Sequence, residues 1–161
     1  SVTSATLCDA IISVKKATFS TPFAALGITP EGCSSVMFTR LMGEETAQRI
    51  LGDEGWKPTA EEAAEIGLIN TVVDEESLTK VSRQLALEWI GHERGRQYRG
   101  GLSKGALLEI NAKESIDLAD AFLSSPFIKA QFSFLFKKKK YMPACLFACM
   151  LISRPLWARL L

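Results

Sequence analysis

The stretch Ala17-Thr-Phe-Ser-Thr-Pro-Phe-Ala-Ala-Leu-Gly-Ile-Thr-Pro-Glu-Gly-Cys-Ser-Ser35 sets one carboxylate, Glu31, just beyond a run of apolar and small residues. Phe19, Phe23, Leu26 and Ile28 supply a water-poor lining, and Gly27 and Gly32 permit tight turns or close backbone approach. Thr29 fits an N-cap and Pro30 a first helical position, so the pattern predicts Glu31 in the first turn of a helix. A lone carboxylate against apolar walls is how a protein makes a general base that works near neutral pH. Acidic residues also occupy first turns because the macrodipole favours them there, by ~0.3–1 kcal/mol. On the residues alone, both readings of Glu31 stand.

Working outward, Thr3–Asp9 reads as a short helix, Ala10–Val14 as a strand and Ala17–Ser20 as a second strand after a Lys15-Lys16 turn. Both strands are short and apolar, as in a sheet with a covered face. Ser34–Met42 follows as a helix stopped near Gly43, and Glu44-Glu45 place negative charge at the start of another, running to Leu51. Breakers make Gly52–Pro58 a loop. Thr59 and Glu62 have the spacing of a capping box, and Gly67 stands where a helix C-terminus ends. Leu68–Val73 reads as a strand. From Glu75 to Glu93, Leu78, Val81, Leu85 and Trp89 recur at helical spacing. A basic loop, Arg94–Gly101, precedes three expected helices, Leu102–Ala112, Ser115–Ser124 and Pro126–Phe136. The fold class is α/β at the start and helix-rich thereafter.

The 161 residues suffice for one domain with a real core. An apolar fraction of 47%, a charged fraction of 23% and a net charge of +1 are ordinary, and give no global argument for a nucleic-acid partner. Charge is uneven: Glu44–Glu76 is acidic and Lys137–Lys140 basic, both consistent with solvated surface. Cys8, Cys33, Cys145 and Cys149 show no CxxC pair and no histidine at zinc-like spacing, so reduced, mostly buried thiols are expected and no metal or separate cofactor. His92 reads as an exposed helix-end residue.

Residues 141–161 form an apolar tail. Its run Ala144–Ile152 is far below the ~20 residues that cross a bilayer. A helix docked on its own protein or on a neighbouring subunit is the expectation. The preceding lysines also admit a weak contact with an anionic membrane surface.

Several of these segments carry a resemblance. Cys8-Asp9, Ala17–Phe23, Leu26-Gly-Ile-Thr-Pro-Glu-Gly-Cys-Ser-Ser35 and Thr59-Ala-Glu-Glu-Ala-Ala-Glu-Ile-Gly-Leu-Ile-Asn-Thr-Val-Val73 resemble the enoyl-CoA hydratase/isomerase (crotonase) superfamily. Within it, they are most similar to the peroxisomal type of Δ3,Δ2-enoyl-CoA isomerase. Weaker similarity runs through Leu102-Ser-Lys104 to Lys140, and the tail from Tyr141 matches nothing in the family. The resemblance implies a partial crotonase-like ββα spiral fold: residues 1–140 form a domain lacking its N-terminal half, and 141–161 a tail of unassigned role.

The resemblance further implies that Glu31 moves a proton from C2 to C4 of a 3-enoyl-CoA, giving the 2-enoyl isomer in the oxidation of unsaturated fatty acids. Hydratases of the superfamily use two glutamates, at positions matching Thr3 and Phe23 here. Neither residue can activate water, and Phe23 would exclude it. Phe19, Phe23 and Leu26 are the candidates for the acyl pocket, though each is equally explained as core. Lys104, with Lys137–Lys140, is the candidate for the CoA phosphates. In the family the two amides that hold the thioester oxygen come from segments upstream of Ser1. That leaves open an alternative, a non-catalytic acyl-CoA-binding or protein-assembly module with a truncated crotonase fold. The family also implies a homo-oligomer, a trimer or a hexamer built from trimers, in the peroxisome or mitochondrial matrix. The end of the chain carries no clear address, since Ala158-Arg-Leu160 is not terminal.

Overall fold

The computed structural model describes residues 2–93 and 95–159. Two short parallel strands, β1 (Ile12–Val14) and β2 (Thr71–Val73), pair with Ile12 opposite Thr71 and Val14 opposite Val73. Between them the chain folds as four helices: α2 (Phe23–Leu26), α3 (Ser34–Met42), α4 (Glu44–Leu51) and α5 (Ala60–Glu65). A one-turn helix, α1 (Val2–Ala5), precedes β1. After β2 and a 3₁₀ turn at Glu75–Ser77 come α6 (Leu78–Gly91), which packs on β1, α7 (Lys104–Phe122), α8 (Ser125–Lys137) and α9 (Tyr141–Trp157).

The core lies around α3, whose neighbouring residues Met37 and Phe38 point into different clusters. Phe38 joins Ala47, Ile50, Ala63, Leu68 and Ile69, while Met37 joins Cys33 and Leu107. Local signals set many of the boundaries. The Thr59 hydroxyl accepts the Glu62 amide and the Glu62 carboxylate accepts the Thr59 amide, a complete capping box at the head of α5. Past its end Gly67 takes a left-handed φ of 80°. Arg99 secures the same corner: its guanidinium donates to the carbonyls of Gly67 and Leu68, and burial lowers its pKa from the ordinary value. The basic loop is therefore a strap. Arg96 also donates to the Leu7 carbonyl, and the Gln97 amide donates to Asp9.

Several elements differ from expectation. The first helix stops at Ala5 and continues to Asp9 only as turns. Ala17–Ser20 forms no strand: Thr18 makes one isolated bridge with Thr59, and Phe19 donates to the Pro58 carbonyl. Proline has no N–H to return, so the ladder ends there. β2 is shorter than Leu68–Val73 because the Ile69 amide donates to the Ala63 carbonyl and the Leu68 carbonyl accepts from Arg99, so neither group joins the ladder. Thr29-Pro30-Glu31 does not begin a helix. Gly32 and Cys33 both take left-handed conformations, φ 67° and 64°, and α3 starts only at Ser34. The expected helices at Leu102–Ala112 and Ser115–Ser124 are one helix, α7. The Ser115 hydroxyl bonds back to the Asn111 carbonyl, so the polar step between them leaves the helix intact. Of the four thiols only Cys33 is buried; Cys8, Cys145 and Cys149 are exposed. His92 is exposed at the C-terminus of α6. The tail is helical and packs along α8, and no helix among the described residues is long and apolar enough to cross a membrane.

Candidate active site

The turn between α2 and α3 carries Glu31 to the mouth of a cavity of about 220 Å3. The walls come from α1 (Val2, Thr3), from the segment Ser20–Pro22, and from Phe23, Leu26 and Ile28. Glu31 is the only charged residue among those lining it, and it is exposed. The arrangement is one carboxylate over an otherwise mostly apolar hollow, which suits proton transfer to and from a carbon acid bound against the wall.

Three local features hold the turn. Gly32 passes close to α1, where an added Cβ would come within 3.1 Å of Thr3 Oγ1. The Glu31 carbonyl accepts the Ser34 amide at 3.3 Å and the Ser34 hydroxyl at 2.7 Å. The third feature is a carboxylate from far along the chain. Glu114, on α7 and only 4% exposed, accepts the Cys33 amide at 2.6 Å, and from Ser35 both the amide at 2.9 Å and the hydroxyl at 2.5 Å. It satisfies the free N–H groups at the head of α3 and places negative charge at the positive end of that helix. Burial pushes the Cys33 thiol above its ordinary pKa, and the Glu114 charge adds to the rise. The thiol donates to the Leu107 carbonyl at 3.4 Å.

The structure brings Phe23, Leu26 and Glu31 together, and it separates the other candidates from them. Phe19 packs against the Phe38 cluster and does not line the cavity. Lys104 is exposed at the first position of α7, and Lys137–Lys140 are exposed between α8 and α9. None of these lysines lines the Glu31 cavity. Among the described residues no group of three His, Cys, Asp or Glu side chains is placed to hold a metal ion. Sequence reading missed Glu114, although a signal was present. Leu107, Ile110 and Glu114 follow one another at three- and four-residue spacing, so a carboxylate stands on the buried stripe of a helix.

A family model described as enoyl-CoA hydratase/isomerase matches residues 2–114. The chain belongs to the enoyl-CoA hydratase/isomerase family. The match runs from α1 to Glu114 itself and so takes in every group that holds the Glu31 turn, while α8 and α9 lie beyond it.

Two curated relatives of this enoyl-CoA hydratase/isomerase chain differ in kind. Chromodomain Y-like protein 2 of Mus musculus is 32% identical over 134 residues, covering 80% of this chain and 26% of that protein. Enoyl-CoA delta isomerase 2 of Rattus norvegicus is 34% identical over 145 residues, covering 87% of this chain and 37% of that protein. The chain thus spans between a quarter and two-fifths of the length of these two relatives. Among solved structures, an enoyl-CoA hydratase/isomerase from Pseudoalteromonas atlantica T6c superposes with a TM-score of 0.71 at 23% identity. It covers 84% of this chain and 56% of its own. Pseudomonas aeruginosa OdaA superposes with a TM-score of 0.68 at 24% identity, over 83% of this chain and 56% of its own. The likeness identifies the fold as part of a crotonase-like, helix-rich α/β architecture.

Proposed function

We propose that the chain contributes the catalytic carboxylate of a Δ3,Δ2-enoyl-CoA isomerase. The observation that carries this reading is Glu31 as the one charged residue of a cavity lined by Phe23, Leu26 and Ile28. An acyl thioester bound against that wall presents C2 and C4 to a single carboxylate. Glu31 takes the C2 proton, the charge spreads onto the thioester oxygen as a dienolate, and the same carboxyl returns the proton at C4. No water is consumed, and Phe23 and Thr3, at the places where hydratases carry glutamates, offer none an activating base. Two hydrogen-bond donors on the thioester oxygen complete the chemistry, each worth about 3 kcal/mol of barrier. The resemblance assigns them to segments upstream of Ser1. Similarity to enoyl-CoA delta isomerase 2 over 87% of the chain supports the choice of isomerase within the family. Action in unsaturated fatty acid oxidation, in the peroxisome or mitochondrial matrix, and assembly as trimers belong to the same proposal.

The test is turnover of a 3-enoyl-CoA by the chain together with the upstream segments that supply the two thioester-oxygen donors, beside the same protein with Glu31→Gln. The expected result is conversion to the 2-enoyl isomer by the parent and a loss of at least about a hundredfold in the variant. Conversion that survives Glu31→Gln would overturn the assignment.

A second reading is a non-catalytic acyl-CoA-binding or assembly module. It is favoured by the exposure of Glu31 and by the similarity to chromodomain Y-like protein 2 over 80% of the chain. A folded chain that binds CoA thioesters without turning them over would support it.

A further inference from the structure

α9 has two faces, and both are apolar. Its inner stripe, with Ala144 buried and Phe147 meeting Phe127 edge-on at 6.2 Å between ring centroids, packs on α8. Its outer stripe is built from Met142, Leu146, Met150, Ile152 and Leu156, with Met142 84% exposed, Ile152 80% and Leu156 76%. No charged residue interrupts it between Tyr141 and Ser153, and the Ser153 hydroxyl turns back to the Cys149 carbonyl at 2.8 Å. A helix apolar all round is a helix that something covers.

Charge indicates what covers it. From residue 121 to 161 the chain has seven Lys and Arg and no Asp or Glu, whereas residues 1–120 have twelve Lys and Arg against eighteen Asp and Glu. The cations border the apolar stripe at both ends. Lys137–Lys140 are exposed beside Phe136 and Tyr141, whose rings lie 5.5 Å apart and are themselves half exposed. At the far end, Arg154 and Arg159 line an open cavity of about 440 Å3 with Ser125; the Arg154 guanidinium lies over the Trp157 ring at 5.9 Å, and its buried Nε has no hydrogen-bond partner among the described residues. Two copies meeting face to face through this surface would bring cation against cation, because residues 121–161 hold no acid to oppose them.

We propose that the outer face of the α8–α9 hairpin docks on an anionic lipid surface. α9, with 17 residues, is about 25 Å long and lies flat in the interface. Met142, Leu146, Ile152 and Leu156 enter the acyl boundary, and the lysines and arginines meet lipid phosphates on either side. The aromatic pair Phe136 and Tyr141 sits at headgroup level. The surface is distinct from the Glu31 cavity and shares no lining residue with it.

The test is sedimentation of the full chain with phosphatidylcholine vesicles, with and without phosphatidylserine, at low and high salt. Binding that needs phosphatidylserine and falls with salt is expected. Each lysine of Lys137–Lys140 changed to Gln should weaken it about fivefold, equivalent to about 1 kcal/mol. Leu146→Asp with Ile152→Asp should weaken it at least tenfold, with helical content and thermal unfolding unchanged because both side chains are exposed. The proposal is overturned by a parent chain that stays in the supernatant with phosphatidylserine vesicles, or by binding indifferent to the two aspartates. Preferential capture by duplex DNA would also overturn it. So would a lipid-free dimer or trimer that Leu146→Asp and Ile152→Asp dissolve, since the covering partner would then be another copy.

Discussion

Glu31 owes its place to residues that do not line its cavity. Gly32 and Cys33, both left-handed, turn the chain sharply after it, and Glu114 closes that turn by accepting three hydrogen bonds from Cys33 and Ser35. Removing the carboxylate would leave the buried Cys33 amide unpaired and free the part-buried Ser35 amide at the head of α3. Glu114→Ala is therefore expected to lower stability by about 3 kcal/mol, read from urea denaturation. Glu114→Gln, which keeps one acceptor oxygen, should lose less. Cys33 adds a pH dependence. Its folded thiol holds the proton above the ordinary thiol range, so the unfolded chain releases its proton first as pH rises. This contribution to stability is complete below the ordinary thiol pKa and is lost as pH climbs through the folded value. Cys33→Ala should flatten that alkaline decline, seen in unfolding midpoints measured across the alkaline range.

Among the elements, those governed by neighbours three and four residues away were readable from the chain. α3 and α4 fall where Ser34, Gly43 and Glu44 placed them, and α5 carries the capping box expected of Thr59 and Glu62. Ala17–Ser20 misled because its apolar pattern suits a strand, while its partner across the bridge is followed back by a proline that ends the ladder. The α2–α8 contact is set by Gly27. Its φ is 66°, and a Cβ there would stand 2.8 Å from the backbone of Pro126 and Phe127. Gly27→Ala is expected to cost more than the ~1–2 kcal/mol of left-handed strain alone, because backbone has to move away. Hydrogen exchange should report the damage first in α8, with α4 and α5 less affected.

At the scale of the whole molecule, α3 joins the two core clusters by sending Phe38 into one and Met37 into the other. Phe38 is fully buried, so Phe38→Ala should destabilise the fold by about 3–5 kcal/mol, measured by urea denaturation, a large share of a domain's usual margin. The helical hairpin beyond Glu114 lies outside the family match and holds cations with no acid to offset them, so the chain divides into a net acidic body and a cationic end. What the sequence by itself determined is local: helix caps, amphipathic stripes, the membership of Phe23 and Leu26 beside Glu31, and the motifs that mark the family. Those follow from backbone and side-chain interactions across one or two turns, which are written in residue order. Only the tertiary structure decided that Phe19 belongs to the core, that Glu31 stands in a turn and not in a helix, and that Glu114, 81 residues from Cys33, holds that turn. Those outcomes depend on which buried faces meet, and a polar group is drawn into a dry contact only when its hydrogen-bond partners are already waiting there.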